Sequence, residues 1–335
     1  MKNSFSKQFN LGLPIIMAPM FLVSNKAMLV AGIQSGVMSV FPTLNFREES
    51  SLREILNHLN DVLKKNEGRS GNYGVNLIVQ KSNIYYEKHL ELCVEAKVPF
   101  YITSLGSPAK VIEKAHSYGA KVYCDVTNIQ HAKKCFDLGC DGFIAVGQGA
   151  GGHAGPNPLH VLIPALKREF PTIPVVAAGG IATGSGIVSS LALGAAAVSI
   201  GTRFIASTEA GVSNEYKQSI LDSDMDDIVL SEKISGTPCT IINTPFAKKI
   251  GYTQNWFEKA LSNNSRTKKY FKMLTQFKGM KKLTDSIKPG NYNNLWCAGK
   301  SVSLIDEVLP ISKIIENYSN EIKASFEELK QNYES

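Results

Sequence analysis

The stretch SPAKVIEKAHSYGAKVYCDVTNIQHAKKCFDLGCDGFIAV, residues 107–146, contains one unit twice. Each copy runs through a helical pattern, Ser107 to Tyr118 and then Asn128 to Leu138. It stops on Gly119 or Gly139 and enters a short apolar run within three residues. Glycine is the expected helix stop, because it adopts the left-handed backbone conformation without steric cost. The runs Ala120–Asp125 and Gly142–Val146 are continuously apolar for most of their length, as parallel strands buried on both faces should be. A third copy follows, with helical Gly184 to Leu193, the stop at Gly194 and a strand over Ala197–Ile200. Working outward, similar runs occur at Pro14–Met17, Gly36–Val40, Gly74–Val79, Phe100–Ser104 and Val175–Ala178, which makes eight. Eight βα units over roughly 200 residues predict a (β/α)8 TIM barrel, with its site at the carboxyl ends of the strands. A doubly wound sheet is the structural alternative, since the same alternation serves it.

The barrel accounts for residues 1–205. From 206 to 300 the pattern becomes irregular and mainly helical, with Pro238 and Pro245 in a connecting loop, and we read it as a basic lid or insertion. Residues 301–335 carry a C-terminal helix, Asp306 to Leu329, whose Ile305, Leu309, Ile314, Ile315, Tyr318, Ile322 and Phe326 recur at near-helical spacing. That apolar stripe is expected to pack back on the barrel.

With 335 residues and 44% hydrophobic content the chain can bury a large core. No apolar run reaches the ~18 residues of a membrane span. Leu11 to Val23 is broken by Pro14 and Pro19, so it reads as a strand and turn of the mature protein rather than a leader. The six cysteines include no C-x-x-C pair, which fits reduced thiols in the cytoplasm. The six histidines, at 58, 89, 116, 131, 153 and 160, lack zinc spacing, and no metal is expected. The net charge of +7 is uneven: Pro245 to Lys300 has twelve Lys or Arg against Glu258 and Asp285. A solvated helical face is the commoner meaning of such a run, and without a platform of stacking aromatics no nucleic-acid partner is expected.

Two glycine-rich elements carry the chemistry. The loop Gly147 to Gly155 places His153 on a backbone almost bare of side chains. Glycines lose the most conformational entropy on folding, so a run of them points to close approach of a ligand. Imidazole, with an unperturbed pKa of about 6.5, serves there as base or anion partner. The second element is the pair of turns after strands seven and eight, Gly179-Gly180-Ile181 and Gly201-Thr202-Arg203. Those loops of a TIM barrel, with a short helix amino terminus, supply backbone N–H groups to a phosphate. The formal G-x-G-x-x-G at Gly147, Gly149 and Gly152 follows the sixth strand, not the first, so it does not signal a dinucleotide fold.

In this order, Pro14–Met20, Gly74–Leu77, Ala150–His153, Gly179–Ile181 and Gly201–Phe204 resemble the nitronate monooxygenase (2-nitropropane dioxygenase-like) family of FMN-dependent barrels. The resemblance implies oxidation of a small anionic alkyl nitronate by FMN and dioxygen, giving a carbonyl compound and nitrite. It implies that Ala18 and Met20 line the flavin, that Asn76 hydrogen-bonds its ring, and that Gly151, Gly179, Gly180, Ser199, Ile200, Gly201 and Thr202 complete the FMN site. His153 would handle the substrate over the flavin, and Lys300 would help to bind it as an anion. Asp125, at the end of strand five, would anchor the flavin or orient a partner, with a structural cap as the alternative. The chain departs from the family at Gly149 and Val146, where many members carry Glu and Gln, and at Lys300, within a segment that often reads Gly-Gln-Gly. The sister group of FMN- and NAD(P)H-dependent enoyl-[acyl-carrier-protein] reductases has similar motifs, and a lysine-rich lid would suit an acidic carrier protein.

Overall fold

The computed structural model describes residues 3–80, 82–232, 238–253 and 295–334. Eight parallel strands close into a barrel in sequence order: β1 Ile15–Met17, β2 Met38–Pro42, β3 Asn72–Ile78, β4 Phe100–Ser104, β5 Lys121–Val126, β6 Gly142–Val146, β7 Val175–Ala178 and β8 Ala197–Ile200. β1 pairs with both β2 and β8, which closes the ring and rules out the doubly wound alternative. The glycine stops behave as expected, with Gly119, Gly139 and Gly194 all at positive φ. β2 starts two residues later than the apolar run suggests, because Gly36 is itself a left-handed turn.

Alternation along each strand sorts its residues into two cores. Ile16, Met38, Val40, Phe100, Ile102, Tyr123, Ile144, Val176 and Ala197 form the barrel interior. Their neighbours, such as Ile15, Val75, Tyr101, Val122 and Phe143, pack outward against the helices. Both faces are therefore apolar, which is why the strands read as continuous runs. The short helix α1, Ser4–Gln8, lies outside the sequence reading. Its Phe5 and the following Phe9 join the interior cluster, with Phe9 5.1 Å from the Phe100 ring and edge-on to it.

The helices between strands are α2 Lys26–Gln34, α3 Glu49–Lys65, α4 Tyr86–Glu95, α5 Ala109–His116, α6 Ile129–Asp137, α7 Leu159–Glu169 and α8 Gly184–Ala192. Asn25, Asn128 and Thr183 cap α2, α6 and α8 through their side chains, each accepting from an amide of the first turn. After β8 come α9 Thr202–Ile205 and α10 Asn214–Leu221. The region expected to be mainly helical then contains an antiparallel pair, β9 Ile228–Ser231 and β10 Cys239–Ile242, followed by α11 Pro245–Ile250. Ile228-Val229 and Thr240-Ile241-Ile242 are β-branched runs that favour a pleated surface. Most of the basic segment, including Lys281 and Lys282, lies outside the described residues. Within them Lys248, Lys249 and Lys300 are exposed.

The C-terminal helix spans Ile311–Glu334 and buries Ile311, Ile314, Ile315, Tyr318 and Ile322, while Phe326 is exposed. Its Glu321 accepts a hydrogen bond from the Gly184 amide at 2.5 Å, which ties it to the start of α8. Among the described residues no helix is long and apolar enough to cross a membrane.

Candidate active site

At the carboxyl end of the barrel the strand alternation turns Ala18, Asn76, Ser104, Asp125, Val146 and Ser199 toward the axis, two residues beyond interior positions of their strands. Three of them form a relay across β3, β4 and β5. Asn76 Nδ2 donates to Ser104 Oγ at 2.8 Å and to Ile102 O at 3.2 Å. Ser104 Oγ in turn donates to Asp125 Oδ2 at 2.5 Å. Asn76 is buried, and with its amide nitrogen engaged its Oδ1 is left to accept from a ligand. Ser104 joins this candidate site without any signal in the motifs, because a serine closing a strand has no pattern of its own.

Burial pushes the Asp125 carboxyl up to about 6, although the Ser104 hydrogen bond pulls it down. A raised carboxylate makes the folded state the tighter proton binder between about pH 4 and 6, so its stabilising share is full below that window and is lost as pH rises through it. Asp125→Asn is therefore expected to stabilise the protein at about pH 7.5 by ~1–2 kcal/mol, and not at about pH 4, once solvent screening of a half-buried group is allowed for. Urea unfolding at the two pH values checks this. A gain of equal size at both contradicts the assignment.

The β7 and β8 ends form the second half of the site. Ala178 pairs with Ser199, so the two glycine turns leave the barrel side by side. Gly179 and Gly180 are left-handed, at φ +117° and +77°. Among the described residues the amides of Gly179, Gly180, Ile181, Gly201 and Thr202 have no protein acceptor. Five undonated amides on adjacent turns are the kind of backbone arrangement that can accept an anion. Thr202 is buried, and its Oγ1 accepts from Gly299 N at 3.0 Å, which leaves the hydroxyl proton to give. Ala18 and Met20 adjoin this half, since a Cβ on Gly201 would sit 3.7 Å from Ala18 Cβ and from Met20 Sδ. Arg203 is buried and donates to Ala206 O at 3.0 Å, which pins the turn after β8.

The Gly147–Gly155 loop after β6 is held by backbone contacts on three sides. A Cβ at Gly179 would lie 2.6 Å from Ala150 N, and one at Gly151 would lie 2.9 Å from Gly299 N. Thr240 of β10 donates from N to Gly152 O at 2.7 Å and from Oγ1 to Ala150 O at 2.7 Å. His153 follows directly on Gly152 and is exposed. A Cβ at Gly149 would lie 2.9 Å from Gly180 Cα, so the Glu that many family members carry there would not fit without a shift of this backbone. Lys300 is exposed and lines a cleft of about 320 Å³ with Gln148, Gly149, Pro158, Leu159 and Gly179. It makes no ion pair among the described residues. No cluster of His, Cys, Asp or Glu suited to a metal occurs among them either.

The sequence model of the family described as nitronate monooxygenase matches residues 14–321, from the first strand of the barrel into the C-terminal helix. The chain belongs to the nitronate monooxygenase family. It is 34% identical over 209 residues to a probable nitronate monooxygenase of Staphylococcus saprophyticus, a match covering 59% of this chain and 58% of that protein. It is 31% identical over 206 residues to an octahydroindene-carboxyl-CoA dehydrogenase of Rhodococcus jostii, covering 62% and 57%. The chain thus spans little more than half the length of these curated relatives. The structure of FabK from Thermotoga maritima is similar over 99% of both chains, with a TM-score of 0.84 and 28% identity.

Proposed function

We propose that this family member oxidises alkyl nitronates with FMN and dioxygen, releasing a carbonyl compound and nitrite. The observation that carries this is the set of five undonated amides on the turns after β7 and β8, a cradle that fits a phosphate monoester. Gly179, Gly180, Gly201 and Thr202 would hold the phosphate, beside Ser199 and Ile200. Ala18, Met20 and Gly151 would bound the ring system, and Asn76 Oδ1 would accept from a ring N–H. FMN would supply the electron transfer between the nitronate and dioxygen.

The protein's own work is to bind, orient and exclude water. The relay from Asp125 through Ser104 locks the Asn76 amide, so its acceptor is aimed before any ligand arrives. His153 would take an acidic C–H proton from a neutral nitroalkane or stabilise the oxygens of its anion. Lys300, unpaired among the described residues, supplies the charge that draws the anion into the cleft. Lys300→Ala is expected to raise KM for the nitronate about 5–10-fold with kcat little changed, the signature of binding energy lost equally in ground and transition states. Unchanged KM at low ionic strength removes Lys300 from substrate binding.

The whole reaction is tested by purifying the protein, recording its flavin spectrum and measuring nitrite from a nitronate in air without NAD(P)H. An enoyl-[acyl-carrier-protein] reductase is the second reading, kept by the end-to-end likeness to FabK. Rapid anaerobic flavin reduction by NADPH, with enoyl-thioester turnover and no nitrite, selects it instead. We assign the enzyme to the cytoplasm, in keeping with its six free cysteines.

A further inference from the structure

Two thiols meet beside the His153 loop. The Sγ atoms of Cys239 and Cys297 are 3.8 Å apart, and both cysteines are free. Each sits on one of the two backbone segments that hold that loop. Cys239 opens β10, and the next residue, Thr240, bonds Ala150 O and Gly152 O. Cys297 belongs to the strap 295–299, whose Ala298 and Gly299 abut Gly151 so closely that a Cβ there would lie 2.9 Å from Gly299 N. Ile242 N donates to Trp296 O at 2.8 Å, so the strap and β10 run side by side. Tyr216 OH anchors the strap from behind by donating to Cys297 O at 2.6 Å. Cys239 is buried, and Cys297 is partly buried beside it. Their contact holds the Cys297 thiol below its usual range and Cys239 above it.

We propose that Cys239 and Cys297 are a redox modification site, at which a peroxide converts the pair to a disulfide that fastens β10 to the strap across the His153 loop. The Cys297 thiol gives up its proton and the thiolate attacks one oxygen of hydrogen peroxide, forming a sulfenic acid as the O–O bond breaks; the departing hydroxide takes up the released proton and leaves as water. Cys239 then attacks the sulfenic sulfur, the S–O bond breaks and a second water departs. Two thiols and one peroxide become one disulfide and two waters, with two electrons passing from sulfur to oxygen. The sulfurs must close from 3.8 Å to the ~2.0 Å of a disulfide. An external dithiol reverses the step. The bond cross-links the segments that carry the Thr240 hydrogen bonds and the Gly299 contact, so its effect falls on the opening of the loop.

The test uses the intact wild-type protein treated with hydrogen peroxide, alkylated and mapped by mass spectrometry, with amide exchange followed in parallel. A cross-linked Cys239–Cys297 peptide is expected, together with roughly tenfold slower exchange of Thr240 and the 147–155 loop. Dithiothreitol should restore both signals. In Cys297→Ser neither the cross-link nor the slowing should appear. Alkylation of both cysteines after exposure sufficient to oxidise methionines overturns the site, and a cross-link that leaves loop exchange unchanged overturns the fastening. Neither readout involves flavin or substrate, so the outcome is separate from that of the proposed reaction.

Discussion

His153→Ala is expected to slow nitrite formation from a neutral nitroalkane by about 10²–10⁴-fold, while the purified protein keeps its flavin spectrum. That loss is ~3–5 kcal/mol of transition-state stabilisation, the usual contribution of one positioned acid–base group. The flavin should stay because His153 is exposed at the rim, beyond the Gly152 carbonyl that Thr240 holds, and supplies none of the amides of the anion cradle. Comparison with the preformed nitronate separates the two roles open to the imidazole. A base is needed only for the neutral substrate, so a nitronate should then lose less than about tenfold. An anion partner serves both, and the two losses should match. Unchanged nitrite formation from both substrates removes His153 from the mechanism.

Gly179→Ala is expected to weaken FMN binding about 100-fold and to lower the thermal midpoint. At φ +117° an alanine carries ~1–3 kcal/mol of backbone strain. Its Cβ would also lie 2.6 Å from Ala150 N and 2.9 Å from Ala150 Cα, which are backbone atoms with no rotamer to yield. Relief moves either the β7 turn, which misaims the Gly179 and Gly180 amides, or the His153 loop. Gly119→Ala is the control: it is also left-handed, at φ +86°, but a Cβ there meets nothing within 4 Å. It should cost ~1 kcal/mol of stability and leave FMN affinity untouched. Fluorescence quenching of FMN and urea titration measure the two effects. An affinity in Gly179→Ala within twofold of wild type means that the β7 turn does not bind the phosphate.

The barrel was legible because its signals are local. Eight strands buried on both faces produce eight apolar runs, and the left-handed stops at Gly119, Gly139 and Gly194 punctuate the helices between them. α1 escaped notice because five residues are too few for a period to emerge, although Phe5 and Phe9 complete the interior. The β9–β10 pair escaped for a related reason, each strand having four residues in a stretch whose surroundings read as helix. Glycine clustering alone singled out the His153 loop and the two turns after β7 and β8. Ser104 went unread, as did the parts Thr240 and Gly299 play, since their value lies in partners distant along the chain.

The sequence by itself determined the strand count and the left-handed glycine turns, including those after β7, because periodicity and backbone permissiveness reside in neighbouring residues. Tertiary structure alone decided that Ser104 links Asn76 to a half-buried Asp125, that β10 and the 295–299 strap hold the His153 loop, and that a Glu at Gly149 would not fit without a backbone shift. Those outcomes depend on closing the ring and packing distant backbones to van der Waals distance. No local pattern encodes that separation.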